Sequence, residues 1–374
     1  MAAPRIACFF STSGHSGVDR AARHLIPALA GRGYAVDLLR VRRHGPELSR
    51  IPPRVSVIDL GSAHTYGALP ELVRYLKRVR PAVLLSDKDR VNRTALLGRF
   101  LARVPTRLVL SSGTTISIDL STRGPLERWI QRNSMGKLYP FADAVIVNAR
   151  QVAEDMADFT GLPRDRIQVV PNPAVPEALF HRECPVPDHP WFGPDEPPVI
   201  LGVGELCTRK DFATLIRAFA RVRAVRPCRL VILGEGSQRG RLRALAQKLG
   251  VASAVDLPGF QPNPYDYMAH SALFVLTSRW EGNPFVLPEA LAVGTPVLAT
   301  DCPSGPREVL DGGRYGLLVP VSDVQALAQG ILQTLAQPLP KATLQEAARP
   351  FTIEAATDAY LRVFGLPLRA EAMP

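Results

Sequence analysis

Short apolar runs rich in β-branched residues recur along this chain, with stretches of helical period between them, and that alternation leaves few folds open. Over the first half it predicts strands at 6–10, 36–41, 55–60, 83–86, 108–111, 144–147 and 167–170. Helices are expected over 18–30, 69–79, 92–103 and 125–138, the first of them ended by Gly31 and Gly33. Strands separated by helices run parallel, in a sheet covered on both faces. The alternation resumes with strands expected at 199–203, 230–233, 255–257, 273–277, 297–300 and 317–319, and the chain is helical after Ser322. The expected fold class is α/β, with two doubly wound, Rossmann-like parallel-sheet domains facing across a cleft.

Between the halves the texture changes. Nine of the 35 prolines fall within 171–198, a density that no helix interior tolerates. This segment is expected to be an extended connector between a first domain over 1–170 and a second over 199–350.

Composition narrows the partners without choosing one. A net charge of +11 favours an anionic partner, whether nucleic acid, an anionic membrane surface or a phosphorylated small molecule. The five cysteines are scattered and odd in number, and the seven histidines show no ligand spacing, so free thiols and no protein-held metal are expected. No apolar run approaches the roughly 20 residues of a membrane span, and the run at 6–10 is too short for a secretory signal, which points to a cytoplasmic address.

The stretch from Ser278 to Asp301 looks most built for chemistry. An apolar strand precedes it, and the helix after it is expected to begin at Asn283 and Pro284, run through Leu291 and stop at Gly294. Glu281 then lies in the loop and Glu289 in the helix, both toward the crevice where open α/β sheets bind ligands. Carboxylates accept hydrogen bonds from sugar hydroxyls, and the amides of Asn283, Phe285 and Val286 can meet anionic oxygens at a helix N-terminus. As helix-end acids, the two glutamates would instead stabilise the dipole.

Glu281 and Glu289 form a Glu-x7-Glu element within S-R-W-E-G-N-P-F-V-L-P-E, and this stretch, with Cys302 to Leu310, Gly316 to Pro320 and Gly202 to Asp211, resembles family 4 of the glycosyltransferases. The match is ordered over 199–321 and looser before it. The resemblance implies the GT-B fold, retention at the anomeric carbon, and a final helix over 353–364 that crosses back to the first domain. It also implies that Arg209 and Lys210 hold the diphosphate, Glu289 the ribose, and Glu281 with the loop Asn283, Pro284, Phe285 and Val286 the donor sugar. Cations at a helix start are unfavourable unless an anion binds there, which supports the same reading of Arg209 and Lys210.

Several other features bear on the ligand. Gly204 and Gly234 lie in turns after strands and line the expected nucleotide pocket; neither G-x-G run has the third glycine of a dinucleotide fingerprint, and no Walker motif is present. In the first domain, Gly14 and Gly17 of Ser13-Gly14-His15-Ser16-Gly17 lie where backbone amides reach an anion or acceptor, or in a plain βα turn. Asp87 or Asp89 orients an acceptor hydroxyl or belongs to a helix-start acid cluster. The family often carries a histidine where this chain reads Ser111-Ser112-Gly113-Thr114-Thr115, so no general base is assigned there. Arginine-rich helices at 69–79, 92–103 and 125–138, with Leu126, Trp129 and Ile130, present a basic face for an anionic membrane or turn their apolar residues into the core.

The expected activity is transfer of a sugar from a nucleotide-diphosphate donor, a UDP-sugar, to a saccharide or lipid-linked acceptor in bacterial-type surface glycan assembly, with no cofactor or metal. A nucleotide-sugar epimerase or a phosphorylase on the same fold is the alternative. A nucleic-acid-binding protein is a distant one, because the arginines lack interleaved aromatic platforms.

Overall fold

The computed structural model describes residues 4–12, 16–42, 44–121 and 123–369. It divides the chain into two compact units, Met1–Pro173 with Ile353–Pro374, and Ala174–Thr352.

The first unit runs β1 (Arg5–Phe10), α1 (Gly17–Gly31), β2 (Ala35–Arg40), β3 (Val55–Asp59), α2 (Leu69–Val79), β4 (Val83–Asp87), α3 (Asp89–Ala102), β5 (Arg107–Ser112), α4 (Ile116–Asp119), α5 (Pro125–Leu138), β6 (Ala144–Val147), α6 (Arg150–Thr160) and β7 (Ile167–Val169). Its seven strands are parallel in the order β3-β2-β1-β4-β5-β6-β7. The second unit runs β8 (Val199–Val203), α7 (Phe212–Arg223), β9 (Arg229–Leu233), α8 (Arg239–Lys248), β10 (Val255–Gly259), α9 (Tyr265–Ala269), β11 (Leu273–Leu276), α10 (Val286–Val293), β12 (Val297–Thr300), α11 (Pro306–Val309), β13 (Leu317–Val319), α12 (Val324–Ala336) and α13 (Lys341–Ala348). Its six strands are parallel in the order β10-β9-β8-β11-β12-β13. The last helix, α14 (Ile353–Phe364), belongs to the first unit.

The continuous apolar runs of the strands follow from burial on both faces. In β1, Ala7 and Phe9 pack with Leu72 and Leu76 of α2 and Ala95 of α3. Ile6, Cys8 and Phe10 turn to the opposite face, where Leu25 and Leu29 of α1 meet Tyr360, Leu361 and Phe364 of α14. The first face therefore closes without α14, whereas the second depends on it.

Three boundaries differ from the sequence expectation. α3 starts at Asp89 rather than 92, because Lys88 adopts a left-handed φ of 72° and Asp89 then pairs with Arg93 one turn on at 2.6 Å. α10 starts at Val286, after Phe285, so Asn283 is not its cap. The proline-rich segment expected to be a connector over 171–198 is packed onto the second unit from residue 174. Ala174, Val175, Leu179 and Phe180 enter that unit's core. Val175 bridges Thr352, and His189 holds Asp256 Oδ2 through Nε2 at 3.0 Å. The prolines limit the segment to single turns of 3-10 helix at Glu177–Phe180 and Pro190–Phe192.

Phe364 is fully buried at the end of α14. Phe364→Ala is expected to destabilise the first unit by about 3–5 kcal/mol in chemical denaturation, the cost of an aromatic-sized core cavity. A loss below about 1 kcal/mol would show that α14 does not close that face.

Candidate functional site

The strand order of the second unit reverses between β8 and β11, since the chain builds outward to β10 and then returns to place β11 on the other side of β8. Open α/β sheets bind ligands at the carboxyl ends of the strands flanking such a reversal. There the loop after β8 carries Arg209 and Lys210 in a turn of 3-10 helix, and the loop after β11 carries Glu281.

The two loops are stitched together by backbone. The Arg279 N–H donates to Arg209 O at 2.8 Å, and Thr277 Oγ1 donates to Lys210 O at 2.8 Å. Asp211, at a left-handed φ of 47°, ends the cationic turn and leads into α7. Its carboxylate accepts from Arg279 Nε at 3.0 Å and Ser322 Oγ at 2.8 Å. Thr300 Oγ1, at the end of β12, donates to Ser278 O at 2.6 Å.

Glu281 sits at the centre of this frame. Its Oε1 accepts from Lys210 Nζ at 2.6 Å and from Ser278 Oγ at 2.6 Å, and its Oε2 accepts from Arg209 Nη1 at 2.9 Å. Glu281 and Lys210 are both buried, while Arg209 is about one-third exposed. Burial alone would raise the Glu281 pKa, but the charges of Lys210 and Arg209 and the hydrogen bonds from Lys210 and Ser278 outweigh it and hold the carboxyl below its ordinary value. The neighbouring Cys302 thiol is pushed up to about 12 by burial and then by the Glu281 charge, and it stays protonated.

Two glycines let the loops after β8 and β9 close on each other. Gly204 N–H donates to Leu233 O at 2.9 Å, and Leu206 N–H donates to Glu235 O at 2.8 Å. Gly234 has a φ of 136°, and a Cβ there would stand 2.0 Å from Gly204 O. A Cβ on Gly204 would in turn meet the Lys210 stem at 3.2 Å. Gly204 lies against the Lys210 stem and Gly234 against Gly204, so both belong to the frame around this cation.

The segment Asn283, Pro284 and Phe285 forms an irregular lead into α10 and is clasped from behind. Glu281 N–H donates to Pro303 O at 3.2 Å, and Ser304 Oγ donates to Gly282 O at 2.9 Å. Gly305, at φ 90°, lets that clasp approach, because a Cβ there would come within 2.7 Å of both Gly282 O and the Pro284 ring. Val286 is the first residue of α10, and Glu289, one turn in, is fully buried with Oε1 accepting from Tyr265 OH at 3.2 Å. Arg209, Lys210, Glu281, Gly204 and Gly234 are thus drawn into one connected cluster, while Glu289 is tied to Tyr265. Tyr265, Ser278 and Thr277 were not singled out from the sequence. The two hydroxyl residues lie in the strand-to-loop stretch that carries Glu281, whereas nothing in the sequence marks Tyr265.

In the first unit, Gly14 lies outside the described residues, as do Ser13 and His15. Gly17 is the first residue of α1, behind a capping box in which Ser16 and Asp19 satisfy each other's backbone. Asp89 is a helix-start acid, paired with Arg93 and accepting from Tyr139 OH at 3.3 Å. Asp87 ends β4, and burial raises its pKa despite Ser111 and Lys88. Among the described residues, no three His, Cys, Asp or Glu side chains gather as a metal site would require.

The depressed Glu281 pKa fixes a sign. A carboxyl whose folded value lies below its unfolded value contributes stability that is complete above the ordinary carboxylate range and is lost as pH falls through the folded value. Between about pH 7 and about pH 3, Glu281→Gln is expected to flatten the fall in melting temperature relative to the parent protein. Parallel curves would show that the pair does not form in solution.

Similarity to known proteins agrees with this geometry. The profile for glycosyl transferases group 1 matches residues 189–351, and that for the glycosyl transferase 4-like domain matches residues 16–173. A Campylobacter jejuni protein, the N-acetylgalactosamine-N,N'-diacetylbacillosaminyl-diphospho-undecaprenol 4-alpha-N-acetylgalactosaminyltransferase, is 32% identical over 246 residues, 65% of this chain and 64% of that protein. The chain therefore spans less than two thirds of that relative's length. Among solved structures, the apo form of the lipopolysaccharide outer core galactosyltransferase WaaB superposes with a TM-score of 0.77 at 19% identity, covering 96% of this chain and 99% of that one. The Anabaena protein HepE in complex with UDP-glucose superposes with a TM-score of 0.74 at 18% identity, again covering 96% and 99%. With both units matched and the fold shared, the chain belongs to the GT4-type glycosyltransferases and carries the GT-B fold.

Proposed function

We propose that this chain transfers a sugar from a nucleotide-diphosphate donor to a hydroxyl of a lipid-linked or saccharide acceptor in bacterial surface glycan assembly, with retention at the anomeric carbon. The observation that carries this reading is the pair of cations, Arg209 and Lys210, fixed by Glu281 at the strand reversal of the second unit. As the glycosidic bond breaks, the departing diphosphate gains negative charge. Cations oriented in advance, one of them nearly buried, stabilise that charge more than they stabilise the bound donor. They supply the countercharge that a metal would otherwise bring, so the reaction needs none.

In this reading Glu281 is first a positioning residue, because its Oε1 already accepts from two donors. It sets the Lys210 and Arg209 head groups, and the amides of Asn283, Phe285 and Val286 face the donor sugar. The family resemblance gives Glu289 the ribose hydroxyls; in this structure it is fully buried against Tyr265 rather than open to the crevice, so it would meet the ribose only once the nucleotide displaces the Tyr265 contact. UDP as the nucleotide is supported by the UDP-glucose bound to HepE, and a lipid-linked acceptor by the diphospho-undecaprenol in the name of the Campylobacter relative. Such an acceptor would bring the enzyme to the cytoplasmic face of a membrane.

Incubation with UDP-sugars and acceptor, in the presence of a chelator, is expected to release UDP in step with a glycoside that keeps the donor's anomeric configuration. Lys210→Ala should lower transfer by about 10²–10³-fold while leaving the circular dichroism spectrum in place. Acceptor-independent epimerisation of the donor, or near-normal transfer by both Lys210→Ala and Glu289→Ala, would overturn the reading.

A further inference from the structure

The whole net charge of the chain resides in one unit. Residues 1–173 and 353–374 carry 28 Lys and Arg against 17 Asp and Glu, whereas residues 174–352 carry 17 of each. Within the charged unit, residues 89–141 hold nine of the cations and only three acids, and two of those acids, Asp89 and Glu127, are paired with arginines.

The same stretch turns its apolar side chains outward. α5 buries only Met135 of its 14 residues. Leu126, Trp129 and Ile130, at i, i+3 and i+4, are 69%, 62% and 44% exposed. α3 repeats the pattern with Leu97, Phe100 and Leu101, Phe100 being 76% exposed. Phe141, 69% exposed, follows α5 and is tied to α3 by Arg99 Nη2 donating to Phe141 O at 2.9 Å, while Asn92 Nδ2 of α3 donates to Tyr139 OH at 3.0 Å. α3 and α5 touch in the fold, and each presents an apolar triplet to solvent amid an excess of positive charge, surfaces of a kind that soluble proteins seldom leave uncovered.

We propose that the outer faces of α3 and α5 dock on an anionic phospholipid surface. Such an interface satisfies both halves of the patch, since Phe100, Trp129 and Leu126 enter the acyl boundary while Arg128, Arg132 and Lys137 meet lipid phosphates. A second copy of the chain meeting this face two-fold would set arginine against arginine, and nucleic acid would leave the aliphatic side chains uncovered. The proposal goes beyond sugar transfer and is tested without it.

The test is flotation of the full chain with vesicles of phosphatidylcholine alone or mixed with phosphatidylglycerol, at low and high salt. Binding is expected only to the anionic vesicles, to weaken with salt, and to weaken by about tenfold or more in Phe100→Ser/Trp129→Ser and in Arg128→Glu/Arg132→Glu. Both double variants should bind UDP as the parent chain does, which separates loss of docking from loss of fold. Three results would overturn the proposal. They are no binding of the parent chain to anionic vesicles at low salt, equal binding by parent and variants, or a dimer in sedimentation that the Phe100→Ser/Trp129→Ser variant dissolves while vesicles go unbound. If vesicles bind as expected but UDP binds neither parent nor variants, the transfer reading fails and the docking surface stands.

Discussion

A buried carboxylate holding two cations is the contact on which the second unit's site depends. Removing Glu281 and Lys210 from water is costly, and such pairs contribute little net stability compared with apolar packing. The benefit is positional. An ammonium on a four-carbon stem and a guanidinium on a three-carbon stem would otherwise sample many rotamers, and the carboxylate selects one for each. Ser278 fixes the carboxylate, Thr300 fixes the Ser278 backbone, and Thr277 and Arg279 hold the Lys210 and Arg209 carbonyls. Segments from three strands, β8, β11 and β12, thus agree on where two positive charges stand.

The glycine turns serve the same end. At Gly234 any side chain would strike the Gly204 carbonyl, so the loops after β8 and β9 meet because Gly234 lacks one. Asp211 then turns the chain into α7 immediately after the cations, placing them at a helix N-terminus, where a bound anion would offset an otherwise unfavourable arrangement.

Much of this was legible in the sequence. Apolar runs buried on both sheet faces located the strands, and the Glu-x7-Glu stretch and the Arg209-Lys210 pair marked two loops that the fold brings into contact. What was not legible lay in tertiary contacts. Asn283 has the composition of a helix cap, yet the clasp from Ser304 and Gly305 holds its neighbours in a loop and delays α10 to Val286. Prolines ruled out long helices over 171–198 but were silent on whether Val175, Phe180 and His189 would find partners, which they do in the second unit. The spacing of Leu126, Trp129 and Ile130 gives an apolar stripe without saying which way it faces. Only the packing of Met135 inward turns that stripe to solvent.

The central claim is that Glu281 sets two cations for a diphosphate, and calorimetric titration of UDP tests it most directly. The account predicts that the parent chain binds UDP without added metal, and that Arg209→Gln and Glu281→Gln each weaken the Kd by about tenfold or more, the worth of a charge-assisted hydrogen bond or its orientation. An unchanged Kd in both variants would contradict it.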